Sequence, residues 1–290
     1  MGEFHSGFVA ILGRPNVGKS SLMNRFVGEK VAIVSERPQT TRNRILGVAA
    51  GEGWQIVFVD TPGLHKPRNR LGEFMMQEAE AAREDVDAVL AVVDGAHLGE
   101  RDAAILDYVR QMACPKFLAV NKTDLVTPEQ LMPRLASLNV EGFERVFSVS
   151  ARQGDNVDAL KTALVAAMPV GPKYFPDDMV TDQPERQMMA EILREKLLLC
   201  LDKEIPHGTA GMQKIGDGRM EIHATIYCEK ASHKGVIIGK QGAMLKKIGS
   251  EARADIERLL GCKVMLRLWV KVREDWRNRT GDLKTLGYGE

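Results

Sequence analysis

Four short patterns, in order along the chain, carry the residue types that hold a purine nucleoside triphosphate. Gly13-Arg14-Pro15-Asn16-Val17-Gly18-Lys19-Ser20 is a complete phosphate-binding loop. Its glycines let backbone N–H groups turn inward around phosphate oxygens, and a helix starting behind the loop adds positive potential. Lys19 supplies a point charge for the β- and γ-phosphates, the Ser20 hydroxyl is placed to ligate Mg2+, and Ser21 follows at the helix start. Asp60-Thr61-Pro62-Gly63 offers a carboxylate to hold the same metal through water, and a Gly63 N–H able to sense the γ-phosphate. Asn121-Lys122-Thr123-Asp124 selects the base, because the Asp124 carboxylate can accept from both N1–H and the exocyclic amino group of guanine. Adenine lacks that donor pair and would leave the acceptor unpaired, a mismatch that gives large discrimination. The Lys122 stem would cover the base, and the Ser150-Ala151 turn would present a backbone N–H to guanine O6. These patterns predict a Mg2+-dependent enzyme that hydrolyses GTP to GDP and phosphate, with Lys19 and Gly63 among its catalytic groups.

Such residues need a scaffold that brings distant segments to one edge. The apolar run Phe8 to Leu12 leads through the glycine loop into a helical pattern, Ser20 to Phe26. Strand-like runs follow at Gln55–Val59, Ala88–Val93, Lys116–Val120 and Arg145–Val149, with amphipathic stretches near 73–84, 100–112, 128–137 and 156–167 between them. This alternation predicts an α/β domain over residues 1–170, with a mostly parallel sheet covered on both faces. Functional residues of such sheets lie at the carboxyl ends of strands. Pro169, Pro172, Pro176 and Pro184, with acidic residues between them, mark 171–183 as a linker. Residues 184–290 then show a helix (Glu185–Leu201), two strand-like runs (Thr209–Ile215 and Met220–Cys228), a glycine loop, a helix (Ala243–Leu260) and a strand (Lys263–Val272).

The ordered patterns resemble the translation-factor-related GTPases. Gly13–Ser20, Pro38-Gln39-Thr40-Thr41-Arg42-Asn43 and Asp60-Thr61-Pro62-Gly63-Leu64-His65 resemble the Era family in particular. That resemblance runs from about Gly7 to Gly289 and implies a Ras-like P-loop GTPase domain. Within it the Thr-Thr-Arg segment is switch I, with Thr41 as the catalytic, metal-contacting threonine and Thr40 as the alternative. Leu64 stands where Ras-like enzymes carry a water-orienting glutamine, so hydrolysis rests on positioning and on charge neutralisation by Lys19 and Mg2+. Slow intrinsic turnover is expected. Relatives with an asparagine in the phosphate loop can use a potassium ion, and Asn16 with the switch I backbone is expected to hold K+ here.

In the C-terminal half, Gly239-Lys240-Gln241-Gly242 is a GxxG tetrapeptide flanked by Ile237, Ile238 and the apolar start of a helix. With the elements around it, the segment resembles an α+β KH domain in its type II order, as found at the C-terminus of Era proteins. In KH domains the GxxG loop clamps a nucleic-acid backbone, since glycine admits phosphates that a Cβ would obstruct. By that resemblance Lys240, Gln241, Lys246 and Lys247 contact RNA, while Ile237 and Ile238 serve as core or as an apolar platform for bases. His233, Trp269 and Trp276 could stack on bases, with packing the preferred reading for each. The segment His207–Gly218 is shorter than the family pattern suggests between its first two strands. The family implies binding near the 3′ end of 16S rRNA and a role in assembling the 30S subunit.

Charge supports a polyanionic partner. Residues 230 to 279 hold 13 Lys/Arg against 5 Asp/Glu in a chain whose total is only +1. Cys114, Cys200, Cys228 and Cys262 lack the spacing of a zinc site or a disulfide framework, and no apolar run has spanning length. A cytoplasmic monomer is expected, with peripheral contact to the inner membrane as a further option. The competing class is a membrane-associated or cell-division signalling GTPase whose basic face meets anionic lipid.

Overall fold

The apolar runs of the N-terminal half lack alternation because both faces of their sheet are covered. The computed structural model describes residues 3–35, 40–62, 69–81, 86–201, 207–215, 219–286 and 288. It divides into two units, Met1–Lys66 with Met75–Asp182, and Pro67–Phe74 with Gln183–Glu290. The elements of the N-terminal half are β1 (His5–Leu12), α1 (Lys19–Val27), β2 (Ile45–Gly51), β3 (Trp54–Asp60), α2 (Arg70–Ala81), β4 (Ala88–Asp94), α3 (Glu100–Arg110), β5 (Lys116–Asn121), α4 (Pro128–Ala136), β6 (Arg145–Ser148) and α5 (Val157–Ala166). The sheet order is β2-β3-β1-β4-β5-β6, parallel except where β2 runs antiparallel to β3. Every residue of β4 is buried. Along β1, Val9 and Ile11 join one core with Leu22, Phe26 and Leu160, while Ala10 and Leu12 join the other with Leu106 and Val109.

Strand β2 has no counterpart in the sequence reading. Its composition, Ile-Leu-Gly-Val-Ala-Ala-Gly, is weak in strand formers because α1 passes close above it: a Cβ on Gly47 would lie 2.9 Å from the Met23 side chain. The signal that could have found it is the two-residue connection Glu52-Gly53, where Gly53 has φ 75°, joining it to β3 as a hairpin.

The proline-rich stretch expected as a linker lies along the first unit as a strap. Ser6 N donates to Pro169 O (3.0 Å), Gly171 N to Phe4 O (2.9 Å) and Val48 N to Val180 O (2.9 Å). Fully buried Gln55 accepts from Tyr174 N and Phe175 N and donates to Phe175 O, each at 2.9 Å. Thr181 Oγ1 donates to Leu46 O at 2.7 Å, so the strap also covers the outer edge of β2. Prolines explain why this reads as coil: lacking N–H groups, they allow only scattered ladder bonds.

The second unit contains α6 (Glu185–Cys200), β7 (His207–Ile215), β8 (Arg219–Cys228), α7 (Ala231–Ile238), α8 (Ala243–Leu260), β9 (Lys263–Val272) and α9 (Thr280–Thr285). Its sheet order is β7-β8-β9, with β7 antiparallel and β9 parallel to β8. The succession α6-β7-β8-α7-α8-β9 is the type II KH order. Helix α7 corrects the sequence reading, which took its span as loop; Gly235 and the Val-Ile-Ile run disguised its eight residues. Ile222, Ala224, Ile226, Val264 and Val270 are buried on the sheet face toward the helices, with Leu193, Leu197, Ile248, Ala252 and Ile256 opposite them. Among the described residues, no helix is long and apolar enough to cross a membrane.

Candidate nucleotide and RNA sites

The parallel register places the chemistry-bearing residues together. Ile11 pairs with Asp60, Asp94 with Asn121 and Val120 with Ser148, so the loops after β1, β3, β4, β5 and β6 share one edge of the sheet. In the phosphate loop Asn16 has φ 66° and Gly18 φ 100°. Both loop glycines are required by space: a Cβ on Gly13 would sit 2.4 Å from Val92 O, and one on Gly18 2.1 Å from Asn121 Nδ2. The Arg14 side chain turns away from the loop to bond Asp102 Oδ1 and His97 O, both at 2.6 Å. Pro15 and Ser21 are half-buried, and Val17, Thr61 and Pro62 are buried.

Lys19 is buried, its Nζ donating to Gly13 O (3.1 Å) and Arg14 O (3.0 Å). Burial lowers its pKa to about 8 against the opposing pull of the Asp60 charge. Burial likewise raises the pKa of Asp60, opposed by Lys19 and by hydrogen bonds from Ser20 and Thr41. Ser20 Oγ donates to Asp60 Oδ2 at 2.5 Å, Thr41 Oγ1 lies 3.3 Å from the same oxygen, and the two hydroxyls are 2.9 Å apart. Thr40 Oγ1 instead lies 3.5 Å from Ser35 O. Asp60 Oδ1 is buried with no hydrogen-bond partner. Two hydroxyls converging on a carboxylate with an unsatisfied buried oxygen fit a hard divalent cation that takes its other ligands from phosphate and water. Gly63, expected as a catalytic and nucleotide-binding residue, lies outside the described residues, as do Pro38, Gln39, Leu64 and His65.

The base-selecting residues are braced by partners the sequence did not suggest. Lys122, at φ 64°, donates from Nζ to Asp94 Oδ2 at 2.8 Å. Exposed Asp124 accepts from Ser150 Oγ at 2.7 Å. Asn121 bridges two loops, donating from Nδ2 to Val17 O (2.8 Å) and accepting at Oδ1 from Ala151 N (2.9 Å). In the Ser150-Ala151 turn, whose backbone was expected to meet guanine O6, the Ala151 N–H donates to Asn121 Oδ1 and the Ser150 N–H to Asp155 O at 3.1 Å. From α1, Asn24 Oδ1 accepts from Val31 N and Ala32 N, and Arg25 donates to Ala151 O and Arg152 O. Nothing in the local sequence marks Asp94, Asn24 or Arg25, since their roles arise only where distant loops meet.

In the second unit the GxxG loop joins α7 to α8. Gln241 (φ 51°) and Gly242 (φ 80°) have left-handed backbone, and Gly239 combines φ 71° with ψ 178°. A Cβ on Gly239 would lie 2.6 Å from Met244 Cβ, whereas one on Gly242 would meet nothing within 4 Å. The first glycine thus closes the turn, and the second leaves open space above the amino end of α8. Lys240, Gln241, Lys246 and Lys247 are exposed around it. Of the two options for the isoleucines, Ile237 takes the core at 1% exposure, while Ile238 is half-buried beside the loop. Trp276 is core and His233 half-buried, but Trp269 is exposed.

A doubly covered parallel sheet with these loops, followed by a GxxG module, defines a Ras-like P-loop GTPase with an appended KH domain. Family profiles agree, one described as "50S ribosome-binding GTPase" matching residues 8–122 and one described as "KH domain" matching 204–277. The chain is 52% identical to the GTPase Era of Alkaliphilus metalliredigens across 99% of both chains, and 48% identical to that of Clostridium botulinum strain Eklund 17B over 98% of this chain and 99% of the other. It belongs to the Era family of GTPases, and it is an enzyme that binds and hydrolyses GTP with Mg2+. Among solved structures, an Aquifex aeolicus Era variant bound to GDP·AlF4− matches at TM-score 0.93 and 35% identity, over 99% of this chain and all of the other. An Era complex with MgGDPNP and nucleotides 1506–1542 of 16S ribosomal RNA matches at TM-score 0.92 and 35% identity, with the same coverage.

Proposed function

We propose that this chain is a GTP-operated switch that binds small-subunit ribosomal RNA near the 3′ end of 16S rRNA and acts in assembly of the 30S subunit, as a cytoplasmic monomer. The observation that carries the RNA half is the GxxG loop, whose second glycine leaves open space among Lys240, Lys246 and Lys247. The solved relative that holds nucleotides 1506–1542 of 16S rRNA supports the same reading. Functionally, residues 1–170 handle the nucleotide, 171–183 connect, and 184–290 handle RNA.

In the nucleotide half, the amides of Gly13 to Ser21 surround the phosphates together with Thr61, Pro62 and Gly63. Asn121, Lys122, Asp124, Ser150 and Ala151 hold guanine, with the Ala151 N–H shared between Asn121 and O6. Ser20, Thr41 and Asp60 hold Mg2+, which neutralises charge on the phosphate oxygens when bound. Thr41 closes switch I over GTP, and Lys19 stabilises charge that develops on the transferring group. Asn16 and the switch I backbone hold K+ near the phosphates; equal hydrolysis rates in sodium and potassium buffers would remove that assignment. If GTP favours the RNA-competent state, RNA must raise GTP affinity by the same factor.

The deciding experiment is crosslinking in cells followed by sequencing of the bound RNA. Reads are expected at the 3′ end of 16S rRNA. Reads concentrated on large-subunit rRNA, in line with the 50S wording of the matching profile, would reassign the ribosomal target. Binding to anionic liposomes in preference to RNA at matched salt would favour the membrane-signalling class and a peripheral contact with the inner membrane instead.

A further inference from the structure

Helices α6, α7 and α8 cover one face of the second unit's sheet, and on the other His223, Met265, Arg267, Trp269 and Lys271 are exposed among the described residues. There the register sets Glu221 opposite Met265, His223 opposite Arg267, Thr225 opposite Trp269 and Tyr227 opposite Lys271. Trp269 is 43% exposed and Met265 48%. The Trp269 and His223 rings stack, with centroids 5.2 Å apart and planes 15° from parallel. A large aromatic in an antiparallel or mixed sheet ordinarily finds cover, yet Trp269 and His223 are both exposed. Its surroundings are cationic on the outside. Arg267 pairs with Glu221, which also lies 3.2 Å from His223 Nε2; Arg273 lies over the Tyr227 ring and pairs with Asp282. The carboxylates lie beneath their partners, with side chains 16% and 14% exposed against 55% for Arg267 and 33% for Arg273. Lys271 is exposed alongside. The solvent therefore meets positive groups and exposed aromatic rings, the combination that single-stranded nucleic acid favours through stacking and phosphate pairing.

We propose that this open sheet face is a second RNA-contact surface, where an unpaired base stacks on the Trp269–His223 pair and Arg267, Lys271 and Arg273 hold the flanking phosphates. It lies on the side of the sheet away from α7 and α8, and so away from the GxxG loop. A GxxG clamp engages about four nucleotides, so a longer RNA has bases for which a separate platform is available. The inference rests on the RNA reading of this unit, and its test separates the two.

The full chain is titrated with two labelled RNAs: nucleotides 1506–1542 of 16S rRNA, and a piece of about six nucleotides from its 3′ end, little longer than the clamp. Trp269→Ala is expected to weaken the long RNA between about fivefold and a hundredfold and to leave the short one unchanged. Trp269→Phe, which keeps a stacking ring, should restore most of the loss. Ultraviolet crosslinking of the long RNA should mark the tryptic peptide holding Trp269. Unchanged affinity of Trp269→Ala for the long RNA overturns the proposal, and so does an equal loss with both RNAs. A dimer seen by sedimentation that Trp269→Asp dissolves also overturns it, making the face a self-interface. If the unaltered chain binds neither RNA, the RNA reading of the whole unit fails and this surface with it.

Discussion

Asn121 holds the phosphate loop in place from behind, and a double-mutant cycle with Gly18 measures that support. Asn121 Nδ2 bonds Val17 O at 2.8 Å, and a Cβ at Gly18 would lie 2.1 Å from that same nitrogen. Gly18→Ala must therefore push Asn121 off Val17 and leave a buried carbonyl unpaired, costing about 1–3 kcal/mol. The left-handed φ of 100° adds about 1–2 kcal/mol of strain for any residue with a Cβ. Asn121→Ala leaves both Val17 O and Ala151 N unpaired, costing about 2–4 kcal/mol. The Val17 bond is lost in either single variant but can be lost only once, so the double variant should be sub-additive by about 1–3 kcal/mol. GDP dissociation constants of the four proteins, titrated with Mg2+ present, read this directly, each 1.4 kcal/mol being about tenfold. Losses that add within about 0.5 kcal/mol would show that Asn121 does not support the loop.

Other consequences are simpler to test. Asp124→Asn should lower GTP affinity at least about a hundredfold and raise affinity for xanthosine triphosphate, whose base offers an acceptor where guanine has its amino group; unchanged selectivity in competition binding would remove Asp124 from base recognition. Asp94→Ala frees a lysine that is a third exposed, so the pair is discounted for screening, and GDP release measured by stopped flow should quicken about two- to fivefold. Gly239→Ala should destabilise the second unit by about 1–3 kcal/mol, because its Cβ would press on Met244 at a positive φ. Urea unfolding followed through Trp276 checks this, and an unshifted midpoint would contradict the geometry.

The loops that meet at the candidate nucleotide site were legible because each motif is a run of consecutive residues at a strand end. The strands beneath were legible for a related reason: burial on both faces leaves near-continuous apolar runs. What escaped was set by contacts between distant segments. Strand β2 is built from small residues to admit Met23 and Val27, so its own propensity is poor. Proline spacing at 169–184 signals an irregular path, but fully buried Gln55 is what pins that path to the sheet. The bond from the Ala151 amide to Asn121 joins residues 30 apart in sequence and so carries no local signal. For Trp269, aromatic character alone favoured packing; only its place on an uncovered strand shows that it faces solvent.

Helix α1 explains how so many loops keep one geometry. Lys19 reaches back to the carbonyls of Gly13 and Arg14, and Ser20 reaches Thr41 and Asp60. One and a half turns later, Asn24 clasps Val31 and Ala32, and Arg25 holds the carbonyls of Ala151 and Arg152. At 3.6 residues per turn, Ser20 and Asn24 lie only about 40° apart on one side of the helix, while Arg25 points about 140° away from Ser20, toward the Ala151–Arg152 turn. Leu22, Met23 and Phe26 meanwhile fix the helix in the core. The Gly13–Ser20 loop, Thr41, the Val31-Ala32 segment and the Ala151-Arg152 turn therefore share one support, α1. If Ser20 and Thr41 hold a cation as proposed, drawing them together loads the same nine residues whose Arg25 holds the Ala151 and Arg152 carbonyls.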